Sequence, residues 1–176
     1  DFDPDHEGHG GWRDDQIAAN IYNWLDTNPA DIVLLHIGTN GLSSDPADVE
    51  NILDEVDRWE ADNTPVKVIL AKIINRESYS STTTDFNINI AAMAEDRVTN
   101  PANDAYPDDI IIVDMENGAG IDYANYDVGG DMWDNLHPYS SGYEKMADVW
   151  YDVLHPILPI CSAMPSCPDG MESYWH

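Results

Sequence analysis

A chain of 176 residues, 43% of them hydrophobic, has enough apolar side chains for one domain with its own core. Its 34 acidic and 7 basic residues give a net charge of −27 at pH 7, which repels phosphate backbones and anionic bilayers and so excludes nucleic acid and membrane as partners. Salt relieves such self-repulsion, so the composition fits a halotolerant protein of a saline habitat or a secreted protein kept soluble by Asp-rich loops.

In chain order, Gln16 to Leu25 sets Ile17, Ile21, Trp24 and Leu25 on one helical stripe. Asp31 to Ile37 is a continuous apolar run. Ala47 to Trp59 is a second helical pattern, with Val49, Ile52, Leu53, Val56 and Trp59 on its stripe. Asp48 and Glu50 favour its N-terminus and Arg58 its C-terminus. Val66 to Ile74 is the next apolar run, Phe86 to Val98 the next helix, Ile110 to Met115 the last run. Ser141 to Leu154 closes the pattern as a fourth helix, with Tyr143, Met146, Ala147, Trp150 and Leu154 recurring at helical spacing. Runs that do not alternate read as strands buried on both faces. Their alternation with helices predicts an α/β three-layer sandwich around a parallel sheet with right-handed crossovers. Residues 1–156 read as the domain and 157–176 as a tail. No run approaches the length of a membrane span and no signal peptide opens the chain, so it reads as a soluble, processed or truncated product.

Chemistry in such sheets gathers at the carboxyl ends of the strands, where this sequence places its polar residues. The first run ends in Gly38-Thr39-Asn40, the second in Asn75-Arg76-Glu77, the third in Asp114-Met115-Glu116-Asn117. An Asn amide there is a good oxyanion donor, although a Gly-Asn pair by itself commonly just makes a turn. Further on, Asp134-Asn135-Leu136-His137 sets a carboxylate three residues before an imidazole, close enough to share one turn. The carboxylate then holds the imidazole's tautomer while its other nitrogen takes a proton from a nucleophile. Together the two clusters point to an ester hydrolase.

These residues resemble the SGNH or GDSL-type hydrolases, flavodoxin-like serine esterases, and within them the acetylxylan-esterase branch. Asp5-His6-Glu7-Gly8-His9-Gly10-Gly11-Trp12 resembles that family's second block, His36-Ile37-Gly38-Thr39-Asn40 its third, and Asp134-Asn135-Leu136-His137-Pro138 its fifth. The resemblance implies His137 as base, Asp134 orienting it, and the Gly8 N–H with the Asn40 amide as oxyanion hole. It also implies His9 lining the substrate site, and no metal and no cofactor; Trp133, beside the dyad, is the candidate substrate-binding aromatic. The implied substrate is an acylated carbohydrate such as xylan, or a small ester, met outside the cell. Two departures stand against the pattern. Gly41 replaces the Asp that usually follows the Asn, and the first block, Gly-Asp-Ser, has no counterpart. By the family layout the first strands should precede Asp1, so the expectation is a sheet lacking them, with a bare apolar edge. That edge calls for a homo-oligomer or a complementing N-terminal fragment. The rival reading is a non-catalytic sugar-binding remnant that has lost its nucleophile.

The remaining candidates have simpler readings. Ser43, Ser44, Ser78, Ser80, Ser81, Ser140 and Ser141 lie in no strand-to-helix elbow and read as turn or cap residues. His6 and His9, with Asp3, Asp5 and Glu7, form a dense donor set without the zinc-protease His-Glu-x-x-His spacing, leaving a metal-dependent hydrolase as a third reading. Asp122, Asp127 and Asp131 lack the EF-hand spacing and read as a solvated acidic loop. Cys161 and Cys167 are placed to close a small disulfide loop in an oxidising compartment, or to remain two free thiols. Tyr123, Tyr126, Trp133 and Tyr139 cluster around the dyad, either as stacking surfaces for sugar rings or as packing for the loop.

Overall fold

The computed structural model describes residues 6–100 and 108–158. Asp3, Asp5, Cys161 and Cys167 lie outside the described residues, as does nearly all of the tail.

Strands β1 (Ile32–Leu35), β2 (Lys67–Lys72) and β3 (Asp109–Asp114) form one parallel sheet in the order β1-β2-β3. Leu35 pairs with Leu70, and Leu70 with Ile112. Around them run helices α1 (Asp14–Thr27), α2 (Ala47–Glu60), α3 (Ser81–Thr99) and α4 (Ser140–Leu154). The alternation predicted from the apolar runs is therefore the observed one.

The period of two along β2 divides the core. Val68 and Leu70 face one way, into a cluster with Ile21 of α1, Val56 and Trp59 of α2, and Ile90 of α3. Ile69 and Ala71 face the other, into a cluster with Val113, Met115, Met132 and Met146 of α4. Helices on one face and α4 with its preceding loop on the other make the expected three layers. Both faces of β2 are dry, which is why its run is continuously apolar.

Helix α3 begins five residues before its apolar stripe does. Ser80 caps it, its Oγ accepting the Thr83 N–H at 3.3 Å. Near its far end the buried guanidinium of Arg97 gathers Asp54 and Asp57 of α2 and Asp108 before β3, with Asp54 at 2.7 Å.

Among the described residues no strand pairs with the outer edge of β1. Along that edge runs a groove of about 840 Å³, walled by Ile21 and Trp24 of α1 and by Leu154 and Leu158, with Leu34 on its floor. Leu34 is 45% exposed, unusual for a strand leucine. Among the described residues, then, the outer edge of β1 is unpaired and lined by apolar side chains. Among the described residues no helix is long and apolar enough to cross a membrane.

Candidate active site

The dyad is built by local hydrogen bonding. Asp134 Oδ1 accepts the N–H of Leu136 at 2.7 Å and that of His137 at 2.8 Å, closing a turn that returns the imidazole to the carboxylate. His137 Nδ1 then lies 2.9 and 3.0 Å from the two carboxylate oxygens. The two backbone N–H groups, followed by the imidazole, hold the Asp134 pKa down at about 2. An ionised Asp134 favours the tautomer with the proton on Nδ1, which leaves Nε2 unprotonated. Both side chains are open to solvent, at 66% for His137 and 50% for Asp134.

This turn is not free-standing. Asn135, between the two dyad residues, accepts the Ser78 N–H on its side chain at 2.8 Å and the Glu77 N–H on its carbonyl at 3.2 Å. Those donors belong to the loop after β2, and that loop is itself held from within. Asn75 Nδ2 donates to the buried Glu116 carboxylate at 2.8 Å, which also receives Asn87 Nδ2 at 2.9 Å. The Tyr123 hydroxyl donates to the Glu116 carbonyl and accepts the Asn75 N–H. The bracing roles of Asn135 and Glu116 were not foreseen from the sequence motifs that contain them. Asn135 sits inside the dyad motif, but its partners are 57 and 58 residues away and leave no local signal.

The second half of the site lies after β1. Asn40 Nδ2 donates to the Trp12 carbonyl at 2.9 Å, joining the Asn loop to the glycine loop near the amino end. Gly8, His9, His36 and Asn40 line the same groove. The Gly8 N–H points back to His6 Nδ1 at 3.3 Å. His9 stacks on Trp12 with ring centres 4.0 Å apart, and its Nε2 meets the Glu7 carboxylate at 2.9 Å. Glu7 and Trp12 thus brace this loop.

The structure therefore brings the predicted residues together as two sets, Gly8, His9 and Asn40 in the groove and Asp134, His137 and Trp133 on one turn. Asn40 follows β1 and the dyad turn hangs on the loop after β2, so both stand at the carboxyl edge of adjacent parallel strands. His137 and Asp134 are not among the groove's lining residues.

No protein-family profile matches the chain. Its fold superposes on an acetyl esterase crystallised with an acetate ion, in which a serine near the amino terminus is mutated to alanine; the TM-score is 0.70 at 29% identity, over 89% of this chain and 72% of that one. A carbohydrate esterase family 3 protein from Talaromyces cellulolyticus gives the same TM-score of 0.70, identity of 29% and coverages of 89% and 72%. The chain has the SGNH-hydrolase fold. In sequence it is 24% identical to a protein named "Putative endoglucanase X" of Acetivibrio thermocellus over 81% of its own length, and spans 58% of that protein.

The departure from the SGNH pattern at Gly41 has a local explanation. Gly41 takes φ +71°, the left-handed region that favours glycine, and a Cβ there would lie 2.6 Å from Arg13 Cδ. An Asp at this place would displace the arginine. Three residues earlier Gly38 has φ +121°, and a Cβ would enter the Phe86 ring at 2.4 Å. Several of the serines weighed as nucleophiles hold ordinary turn and cap roles. Ser43 Oγ accepts the Asp45 N–H, Ser80 caps α3, and Ser141 bonds Asp131. Asp131 is no solvated loop residue: it is buried and paired with Lys145.

Proposed function

We propose that this chain carries most of the active site of a serine-type ester hydrolase that removes acyl groups, acetyl above all, from a carbohydrate such as xylan. The observation that carries this reading is the Asp134–His137 pair with Nε2 left open, at the strand edge that also holds Asn40. The fold shared with acetyl and carbohydrate esterases supports it.

In this reading a serine hydroxyl attacks the ester carbonyl while His137 Nε2 takes its proton. Asp134 stabilises the imidazolium. The oxyanion is met by the Gly8 N–H, released from His6, and by the Asn40 N–H not engaged with Trp12. Collapse of the tetrahedral intermediate expels the sugar hydroxyl, which receives the proton from His137. Water, deprotonated by the same imidazole, then frees the carboxylic acid and restores the serine. The groove beside β1 suggests where the serine comes from: a segment that completes the sheet along that edge, from an N-terminal portion or a second copy. A polymer too large to enter a cell places the reaction outside it.

The test is release of acetate from acetylated xylan by the natural full-length protein and its His137→Ala variant. Release that falls at least about 1000-fold in the variant supports the reading. Undiminished release sinks it, and binding of xylan with no release at all favours a sugar-binding remnant.

A further inference from the structure

Four aromatic residues surround the dyad, and they divide into two kinds. Tyr123 packs against the core cluster under α4. Tyr126, Trp133 and Tyr139 belong to neither core cluster and stack on one another instead. The ring of Tyr126 lies 4.9 Å from that of Trp133 at 10°, and 4.6 Å from that of Tyr139 at 11°.

The third distance fixes the arrangement. Parallel rings in contact are separated by about 3.5 Å, so two rings on opposite faces of Tyr126 would be about 7 Å apart. Trp133 and Tyr139 are 6.1 Å apart, with 13° between their planes. They therefore lie side by side on one face of Tyr126, with their outer faces forming a single flat surface. That surface is wet, with Trp133 54% and Tyr139 40% exposed. Large rings that merely pack a loop would turn toward the core, as Tyr123 does.

The backbone holds this surface to the dyad. Trp133 directly precedes Asp134, its N–H donates to the His137 carbonyl at 2.8 Å, and the Tyr139 N–H donates to the Asp131 carbonyl at 2.7 Å. Asp122 and Asp127 are exposed on the same loop, and the chain as a whole carries −27. A ligand here meets flat apolar faces, carboxylate acceptors for hydroxyl groups, and a negative field.

We infer that the Trp133–Tyr139 surface, backed by Tyr126, is a platform for uncharged sugar rings of a polysaccharide main chain, and that the carboxylates around it turn away acidic sugars. The inference rests on the esterase reading and deepens it, setting the handhold beside the dyad, with Trp133 next to Asp134 and Tyr139 two residues after His137. Sugar binding here does not require the nucleophile, so the two readings are tested apart.

The experiment titrates the natural full-length protein with an unesterified linear xylo-oligosaccharide and, separately, with an oligogalacturonate, following the Trp133 indole N–H by NMR and Kd by calorimetry. The neutral sugar should shift the Trp133 signal, and the acidic one should bind at least about tenfold more weakly, with the gap narrowing in high salt. Tyr139→Ala and Trp133→Ala should each weaken the neutral sugar by about tenfold with the melting temperature retained. If either variant unfolds, the indole shift in the unmodified protein decides. No binding, a shift confined to other tryptophans, equal affinity for the acidic sugar, or unchanged affinity in a folded variant overturns the inference. Loss of acetate release with sugar binding intact would overturn the esterase reading alone.

Discussion

Asn135 Oδ1 accepts the Ser78 N–H at 2.8 Å, so the turn that carries Asp134 and His137 is fastened to the loop after β2. Removing that clamp leaves both dyad side chains in place but lets the turn drift. Asn135→Ala should lower kcat by about 100-fold with KM little changed, because a displacement of roughly 1 Å costs that much in orientation. Steady-state kinetics on an acetyl ester check this, and a rise in KM at constant kcat would assign Asn135 to substrate contact instead.

Asp134→Asn keeps the shape and removes the charge. The expected fall in kcat is about 10,000-fold, the effect of losing the correct tautomer in serine hydrolases. The carboxyl pKa of about 2, against 3.8 for a free Asp, gives the sign of its pH dependence. A depressed carboxylate contributes stability that is complete above the ordinary value and is lost as pH falls through the folded value. A carbon NMR titration of Asp134 should therefore have its midpoint near 2. A midpoint at the free-Asp value would mean that the turn does not form in solution.

Asn40→Ala should cost about 100- to 1000-fold in kcat, the usual penalty for one oxyanion donor. It also removes the hydrogen bond to the Trp12 carbonyl, so a thermal melt belongs beside the kinetics. A melting temperature that drops with no change in kcat would make Asn40 a loop anchor only.

Arg97 is the interior charge on which the fold leans most. Its guanidinium is 6% exposed and neutralises carboxylates from α2 and from the start of β3. Arg97→Ala leaves those carboxylates without it in a chain already strongly negative. The expected loss is about 3–5 kcal/mol, read from urea unfolding at moderate salt. A loss under about 1 kcal/mol would show that water or salt replaces the guanidinium.

The parts of this molecule legible in the sequence were those set by local spacing. Among the described residues the three apolar runs are the three strands, and the four helical stripes are the four α-helices. Asp134 and His137 pair because three residues of one turn bring them together. Reading fell short where the deciding partner is distant. Helix α3 starts at Ser81 rather than Phe86 because Ser80 caps it, and its buried Thr83, Asn87 and Arg97 interrupt the apolar stripe that periodicity looks for. Arg97 meets Asp54 and Asp57 across 43 and 40 residues, so composition shows only an excess of acid and not where a buried cation compensates it. Asp131 likewise looked like one more loop carboxylate, and Lys145 of α4 makes it part of the frame.

The claim on which the account rests is that His137, held by Asp134, activates a serine at the end of the groove beside β1. A fluorophosphonate probe applied to the natural full-length protein, with peptide mapping by mass spectrometry, tests it most directly. The account predicts one labelled serine, outside the seven of Ser43 to Ser141 considered above, with labelling abolished in His137→Ala. Labelling that persists without the imidazole, or none at all in a protein that still cleaves acetyl esters, would contradict it.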